Sequence, residues 1–219
     1  MMKNNYLIWK NMAQIKKADI ISPLVIGEII ALIALIILNY PSKLTFVLPS
    51  FVFAWSKYLP LILPLLCLLG IYVAKLLVGR IPVLFQLAKF VLVGASNTFV
   101  DLGILNILML ITSVFGGVAY SLFKAFSFIC SVINSYFWNK FWTFEKKETK
   151  VGLSEFGKFF VIAGIGFFLN VGIASLVVNI IGPQFGLAKE VWANVGAFLA
   201  ILVVFMWNFS GYKFIVFKK

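Results

Sequence analysis

The sequence predicts an all-α integral membrane protein of six transmembrane helices, in which two parallel two-helix repeats follow two extra helices. Three observations predict it. The first is composition: 63% of the 219 residues are hydrophobic and mean hydropathy is +1.06, whereas soluble domains are roughly half apolar. A chain this short has no soluble core large enough to hide that surface. The second is a duplication. Lys89-Phe90 and Lys158-Phe159 open two copies, 69 residues apart, and the same offset pairs Asp101 with Asn170, Gly103 with Gly172 and Trp138-Asn139 with Trp207-Asn208. The copies then slip, so that Lys140-Phe141-Trp142-Thr143-Phe144 resembles Lys213-Phe214-Ile215-Val216-Phe217, 73 residues on, as a small insertion in the second copy would give. The third is the distribution of basic residues, taken up below.

Residues 1–19 interleave Lys3, Lys10, Lys16 and Lys17 with Tyr6, Ile8, Trp9, Met12 and Ile15. That pattern suits a short amphipathic helix on the membrane surface. It resembles the basic start of a signal peptide, but the next apolar run is of spanning length and has no small-residue cleavage site, so the segment is expected to be retained.

Spans are expected at about 20–39, 58–78, 88–112, 118–139, 157–181 and 190–210. Tyr40, Pro41, Pro49 and Trp55 mark an interfacial loop after the first. Arg80 and Pro82 are expected to end the second, and Gly182-Pro183 to break the chain between the last two. Glu145-Lys146-Lys147-Glu148-Thr149-Lys150 is the one charge-dense stretch.

Six spans put both termini on one side. Of 19 Lys and Arg residues, 15 fall on the amino-terminal side and only Lys43, Lys57, Lys124 and Lys189 on the other. The positive-inside rule then places both termini in the cytoplasm. Each repeat holds two spans, so the repeats share one topology and are related by an axis along the membrane normal. The net charge of +12 is assigned to cytoplasmic loops and anionic lipid headgroups rather than nucleic acid.

The chemistry is bounded by what is missing. There is no histidine, no Asp-x-Asp pair for a metal and a nucleotide sugar, and no glycine-rich phosphate loop. No segment is long enough for a soluble catalytic domain. The chain is expected not to be an enzyme, and to need no cofactor or metal. Cys67 and Cys130 read as small buried hydrophobes.

The candidate residues therefore lie in the spans. Asp101 sits mid-span, where a carboxylate costs about 2.5–3.5 kcal/mol. It shares a helical face with Gly94 and Asn97 at i, i+3, i+7 spacing. It either lines a polar path or is a structural carboxylate capped by Asn or Ser of a neighbouring helix. Asn170, with Gly166 and Ala174, holds the matching face in the second copy. Lys124 either pairs with Asp101, attracts phosphate, or snorkels to the outer headgroups. Ser127, Ser131 and Ser135, beside Asn134, have the spacing of close helix packing, with substrate contact as the alternative. Glu28 reads as a structural polar contact. Asn139-Lys140 and Trp142 end the fourth span, and Trp207-Asn208, Tyr212 and Lys213 the sixth. Lys140 and Lys213 are interface anchors or gather an anionic lipid phosphate.

Gln86 to Gly94, Asn97-Thr98 ahead of Asp101, and Asn134 to Phe144 resemble the GtrA-like family. The stretch from Asn208 to Phe217 resembles the family's last helix end, without its tryptophan. The resemblance covers about residues 84–219, a four-helix GtrA-like domain, and leaves 1–83 as an addition. It implies a protein of cell-surface polysaccharide synthesis or glycosylation, in the cell membrane of a bacterium. It implies flipping of a polyprenyl-phosphate-linked sugar, such as an undecaprenyl phosphate sugar, across that membrane beside a membrane glycosyltransferase. The expected substrate-facing set is Asn97, Asp101, Lys124, Asn134, Asn139, Lys140, Asn170, Asn208 and Lys213. Anionic lipids are expected partners, nucleic acid is not, and a homo-oligomer is allowed. Two other readings stay open: an accessory subunit that anchors or activates a glycosyltransferase, and a small cation exporter of the multidrug type.

Overall fold

A computed structural model describes residues 16–39, 50–78, 81–114, 117–146, 152–186 and 189–218. The expected surface helix before residue 16, Arg80, and residues 147–150 of the charged linker lie outside them. All secondary structure among the described residues is helical. Among the described residues, five helical stretches are long and apolar enough to cross a membrane: 17–38, 59–78, 82–112, 153–173 and 199–216. The chain is thus a multi-pass, all-α membrane protein.

The chain forms two compact units, residues 1–145 and 146–219. The first contains α1 (Lys17–Asn39), the short α2 (Ser50–Ser56), α3 (Leu59–Val78), α4 (Pro82–Thr112), α5 (Gly117–Trp138) and a π-helical turn, π1 (Asn139–Thr143). The second contains α6 (Leu153–Ser175), π2 (Leu176–Ile181), α7 (Lys189–Gly211) and π3 (Tyr212–Val216). The expected fourth span is α5, a helix of 22 residues, about 33 Å at 1.5 Å per residue. It is not among the five apolar stretches.

One expectation is corrected at Pro82. It opens α4 rather than merely ending the helix before it. Proline has no N–H to waste at the first helical position and its φ is already helical. Ile81 ahead of it is extended, with φ −112° and ψ 97°, as a residue before proline should be. The third helix therefore starts at 82 instead of 88 and runs 31 residues, about 46 Å. That exceeds a hydrocarbon core of about 30 Å. The fifth expected span likewise starts earlier, at Leu153.

Close approaches organise the first unit. A Cβ on Gly27 of α1 would lie 2.5 Å from the Pro64 Cα of α3. Only glycine lets those two backbones meet there. A Cβ on Gly103 of α4 would lie 2.6 Å from Ile33 Cγ2 of α1. Fourteen residues earlier on each helix, Asp19 meets Lys89. Contacts at both ends of an equal interval, about four turns, mean that α1 and α4 run side by side in the same direction. Ile26 and Ile30 of α1, Ile71 of α3, Phe85 and Val93 of α4 and Trp142 of π1 form one buried cluster, with Leu92 and Phe99 packed on it.

In the second unit α6 and α7 cross as closely. A Cβ on Gly211 would lie 2.7 Å from Ile162 Cγ2, and one on Gly166 2.7 Å from Asn208 Oδ1. Trp207 Nε1 donates to the Ile162 carbonyl at 3.0 Å.

Both units close on a π turn. The Phe144 N–H donates to the Asn139 carbonyl at 2.9 Å, and Phe217 to Tyr212 at 2.8 Å. Each phenylalanine then packs on the one that opens its copy: Phe144 on Phe90, ring centroids 6.5 Å apart, and Phe217 on Phe159 at 5.9 Å. The π turns thus follow the slipped sequence offset, and the slip falls before them.

Candidate functional site

Helix α4 carries Ser96, Asn97 and Asp101 on one side, and α5 presents Ser127, Ser131, Asn134 and Ser135 to it. Asn134 Nδ2 donates to Asn97 Oδ1 at 2.7 Å and lies 3.5 Å from Ser96 Oγ. Trp138 Nε1 donates to Asn134 Oδ1 at 3.1 Å. Asp101 Oδ1 accepts from the Ser127 hydroxyl at 2.6 Å. The result is a polar seam about two turns long between two otherwise apolar helices. Its members satisfy one another, as polar groups in a lipid-excluded interior must. Asp101 is half-buried, so one side of the seam remains reachable. Of the expected set, the structure brings together Asn97, Asp101 and Asn134. Lys124 lies on α5, and its side chain is outside the described residues.

The seam ends at π1. Asn139 is fully buried. Its Nδ2 donates to the Ser135 carbonyl at 2.9 Å and approaches Ser135 Oγ at 3.2 Å. Among the described residues its Oδ1 has no partner, and neither has Thr143 Oγ1. In the second unit Asn208, the counterpart of Asn139, also leaves its buried Oδ1 unpartnered. A buried polar atom without a hydrogen bond costs about 1–3 kcal/mol. Each unit thus keeps a buried, orphaned acceptor near the end of its hairpin, Asn139 opening π1 and Asn208 on α7 four residues before π3.

Lys140 is buried, with Nζ 3.2 Å from the Tyr136 hydroxyl and beneath the Tyr136 and Phe141 rings. Lys213 sits 5.5 Å from the Phe209 ring centroid and 5.6 Å from that of Phe214. Both cations rest on aromatic faces, which satisfy them in part. Asn170 is half-buried on α6.

Sequence reasoning missed the strongest polar cluster. Lys89, only 2% exposed, lies 2.5 Å from Asp19 Oδ1, 3.3 Å from Glu145 Oε1 and 3.4 Å from the Trp142 carbonyl. Trp142 Nε1 donates to Asp19 Oδ1 at 3.2 Å, and Lys16 pairs with Glu145. Burial alone would push the Glu145 carboxyl up. The Lys16 hydrogen bond and the charges of Lys89 and Lys16 outweigh it and hold the carboxyl below its usual range. The cluster lies where α1 and α4 begin and α5 ends, and it binds α1 into the first copy. The signal was present: Lys89 stands in an apolar run that can hold a cation only with a partner. Asp19 was one of only seven acidic residues available.

Among the described residues no group of three or more Cys, Asp or Glu side chains is placed to hold a metal. The family model described as GtrA/DPMS, transmembrane domain, matches residues 89–217. No curated protein and no solved structure matches the chain.

Proposed function

The chain belongs to the GtrA/DPMS transmembrane domain family, and from that premise we propose that it moves a polyprenyl-phosphate-linked sugar between leaflets of the bacterial cell membrane. The direction is from the cytoplasmic to the outer leaflet, for surface polysaccharide synthesis or glycosylation. The topology in this reading is six spans with both termini cytoplasmic, α5 being the fourth and adding to the five apolar stretches, and the copies acting as parallel repeats. The chain itself catalyses no bond making or breaking.

The observation that carries the proposal is the seam of Ser96, Asn97 and Asp101 against Ser127 and Asn134. Amides, hydroxyls and one carboxylate can exchange their mutual hydrogen bonds for those of sugar hydroxyls at little net cost. Such a seam offers a sugar a path through hydrocarbon while its lipid tail stays in the bilayer. Each unit by itself supplies an orphaned acceptor for sugar hydroxyls and a cation for a phosphate, Asn139 and Lys140 in the first and Asn208 and Lys213 in the second. All four stand at the ends of α5 and α7 that this topology puts at the cytoplasmic face.

A second reading, an accessory subunit that holds a membrane glycosyltransferase, is favoured by the face of α6 that its own unit leaves uncovered, treated below. One experiment separates the two. The pure protein is reconstituted in liposomes with a short-chain polyprenyl-phosphate sugar, and the fraction of sugar accessible from outside is followed. Flipping above protein-free liposomes supports transport. Its absence, with the protein folded and inserted, leaves the accessory reading.

A further inference from the structure

The stripe Lys89, Leu92, Ser96, Phe99 and Gly103 runs along α4 at i, i+3, i+7, i+10, i+14 spacing, one helical face. α1 covers it. Lys89 and Ser96 are buried, Leu92 and Phe99 pack on the core cluster, and Gly103 fits against Ile33. Adding 69 to each number gives Lys158, Val161, Ile165, Phe168 and Gly172 on α6. Every one of these is exposed, Phe168 by 75%, and nothing lies within 4 Å of a Cβ built on Gly172. The copies thus carry the same kind of face, with the lysine and the glycine kept at both ends. Within its own unit, one is covered and the other bare.

We infer that the bare face of α6 is a docking surface for a transmembrane helix of a different protein, built like α1. The covered copy specifies that helix. It is apolar, it runs parallel to α6, and it carries an Asp or Glu beside Lys158, as Asp19 lies 2.5 Å from Lys89. Fourteen residues on, it places an aliphatic side chain over Gly172, as Ile33 lies over Gly103. The occupant comes from another protein because the chain's own α1 is held on α4 by Asp19, Gly103 and the core cluster. The inference holds whether the chain flips its substrate or anchors an enzyme.

The covering helix itself is the probe. A synthetic peptide of residues 17–39 contains no tryptophan, so a dansyl group on it reports proximity to the tryptophans of the full chain in liposomes. Saturable energy transfer is expected. It should weaken at least tenfold in Lys158→Glu and in Gly172→Leu. A peptide with its aspartate replaced by lysine should restore binding to Lys158→Glu. Transfer no greater than that from a scrambled peptide would overturn the inference, leaving lipid or the chain's own first unit as the cover. Transfer indifferent to Lys158→Glu would also overturn it, since the peptide would then be replacing α1 on α4. So would disulfide cross-linking of the chain to itself through Phe168→Cys in a Cys67→Ala, Cys130→Ala background, because the occupant would then be a second copy.

Discussion

Lys89 Nζ stands 2.5 Å from Asp19 Oδ1, both of them almost wholly buried. An ion pair in such a place is weak evidence of net stability, because desolvation offsets the attraction. Breaking it is another matter. Lys89→Met leaves the Asp19 carboxylate buried beside apolar groups and should cost about 3–5 kcal/mol. Lys158→Met, at the exposed counterpart, should change stability by no more than about 0.5 kcal/mol. Unfolding in mild detergent, followed by denaturant titration of both variants, measures the contrast. Equal effects would mean that the pair does not tie α1 to α4.

The glycine contacts predict a similar asymmetry. Gly27→Ala drives a Cβ against the backbone of Pro64, and backbone cannot rotate away as a side chain can. A loss of about 1–3 kcal/mol is expected. Gly172→Ala points into open space and should be tolerated. Thermal midpoints of the two variants test this.

Acid should loosen the cluster at the start of α1. The Glu145 carboxyl is held below its usual range. A carboxyl shifted this way adds stability above its unfolded pKa of about 4.3 and loses it as pH falls through the lower folded value. Thermal midpoints should therefore drop below about pH 4 in the unaltered chain. Glu145→Gln should lower the midpoint at neutral pH and flatten that acid drop. A drop of unchanged size in Glu145→Gln would assign it to another carboxyl.

Asp101→Asn should matter to transport more than to folding. The amide keeps the size of the side chain and an oxygen to accept the Ser127 bond, and it gives the first copy what Asn170 already supplies in the second. The thermal midpoint should stay within about 2 °C, corresponding to about 0.5–1 kcal/mol, while flipping falls at least tenfold. Full flipping at equal protein levels would show that the carboxylate serves only to accept that bond.

Much of the fold was legible because lipid imposes simple rules. Apolar length located the helices, and breaks at Gly182-Pro183 and near Pro82 located their ends within a few residues. The side of the break on which Pro82 falls was misjudged, since proline starts helices as readily as it stops them. The seam was half legible. Asp101 and Asn97 share a face by spacing alone, and Asn134 was singled out. That Ser127 caps Asp101 depends on how α4 and α5 are rotated about their axes, which no local pattern records. The Lys89 cluster was illegible for a different reason. Its members come from positions 16, 19, 89, 142 and 145, and only the folded unit shows that they share one end of the bundle.

The two π turns bear on how such a hairpin can change length. From Trp138 to Phe144 is six residues, and from Trp207 to Phe217 is ten. Four extra residues advance a helix by about 6 Å and about 400°, one full rotation and some 40° more. The closing phenylalanine therefore returns to almost the same azimuth, one turn higher, and still finds the ring that opens its copy. One or two extra residues would swing it away by about 100° or 200°. Length in this family is then quantised: relatives should gain or lose residues ahead of the closing turn in steps near a whole turn, and a single-residue deletion between Trp207 and Tyr212 should unseat Phe217 from Phe159.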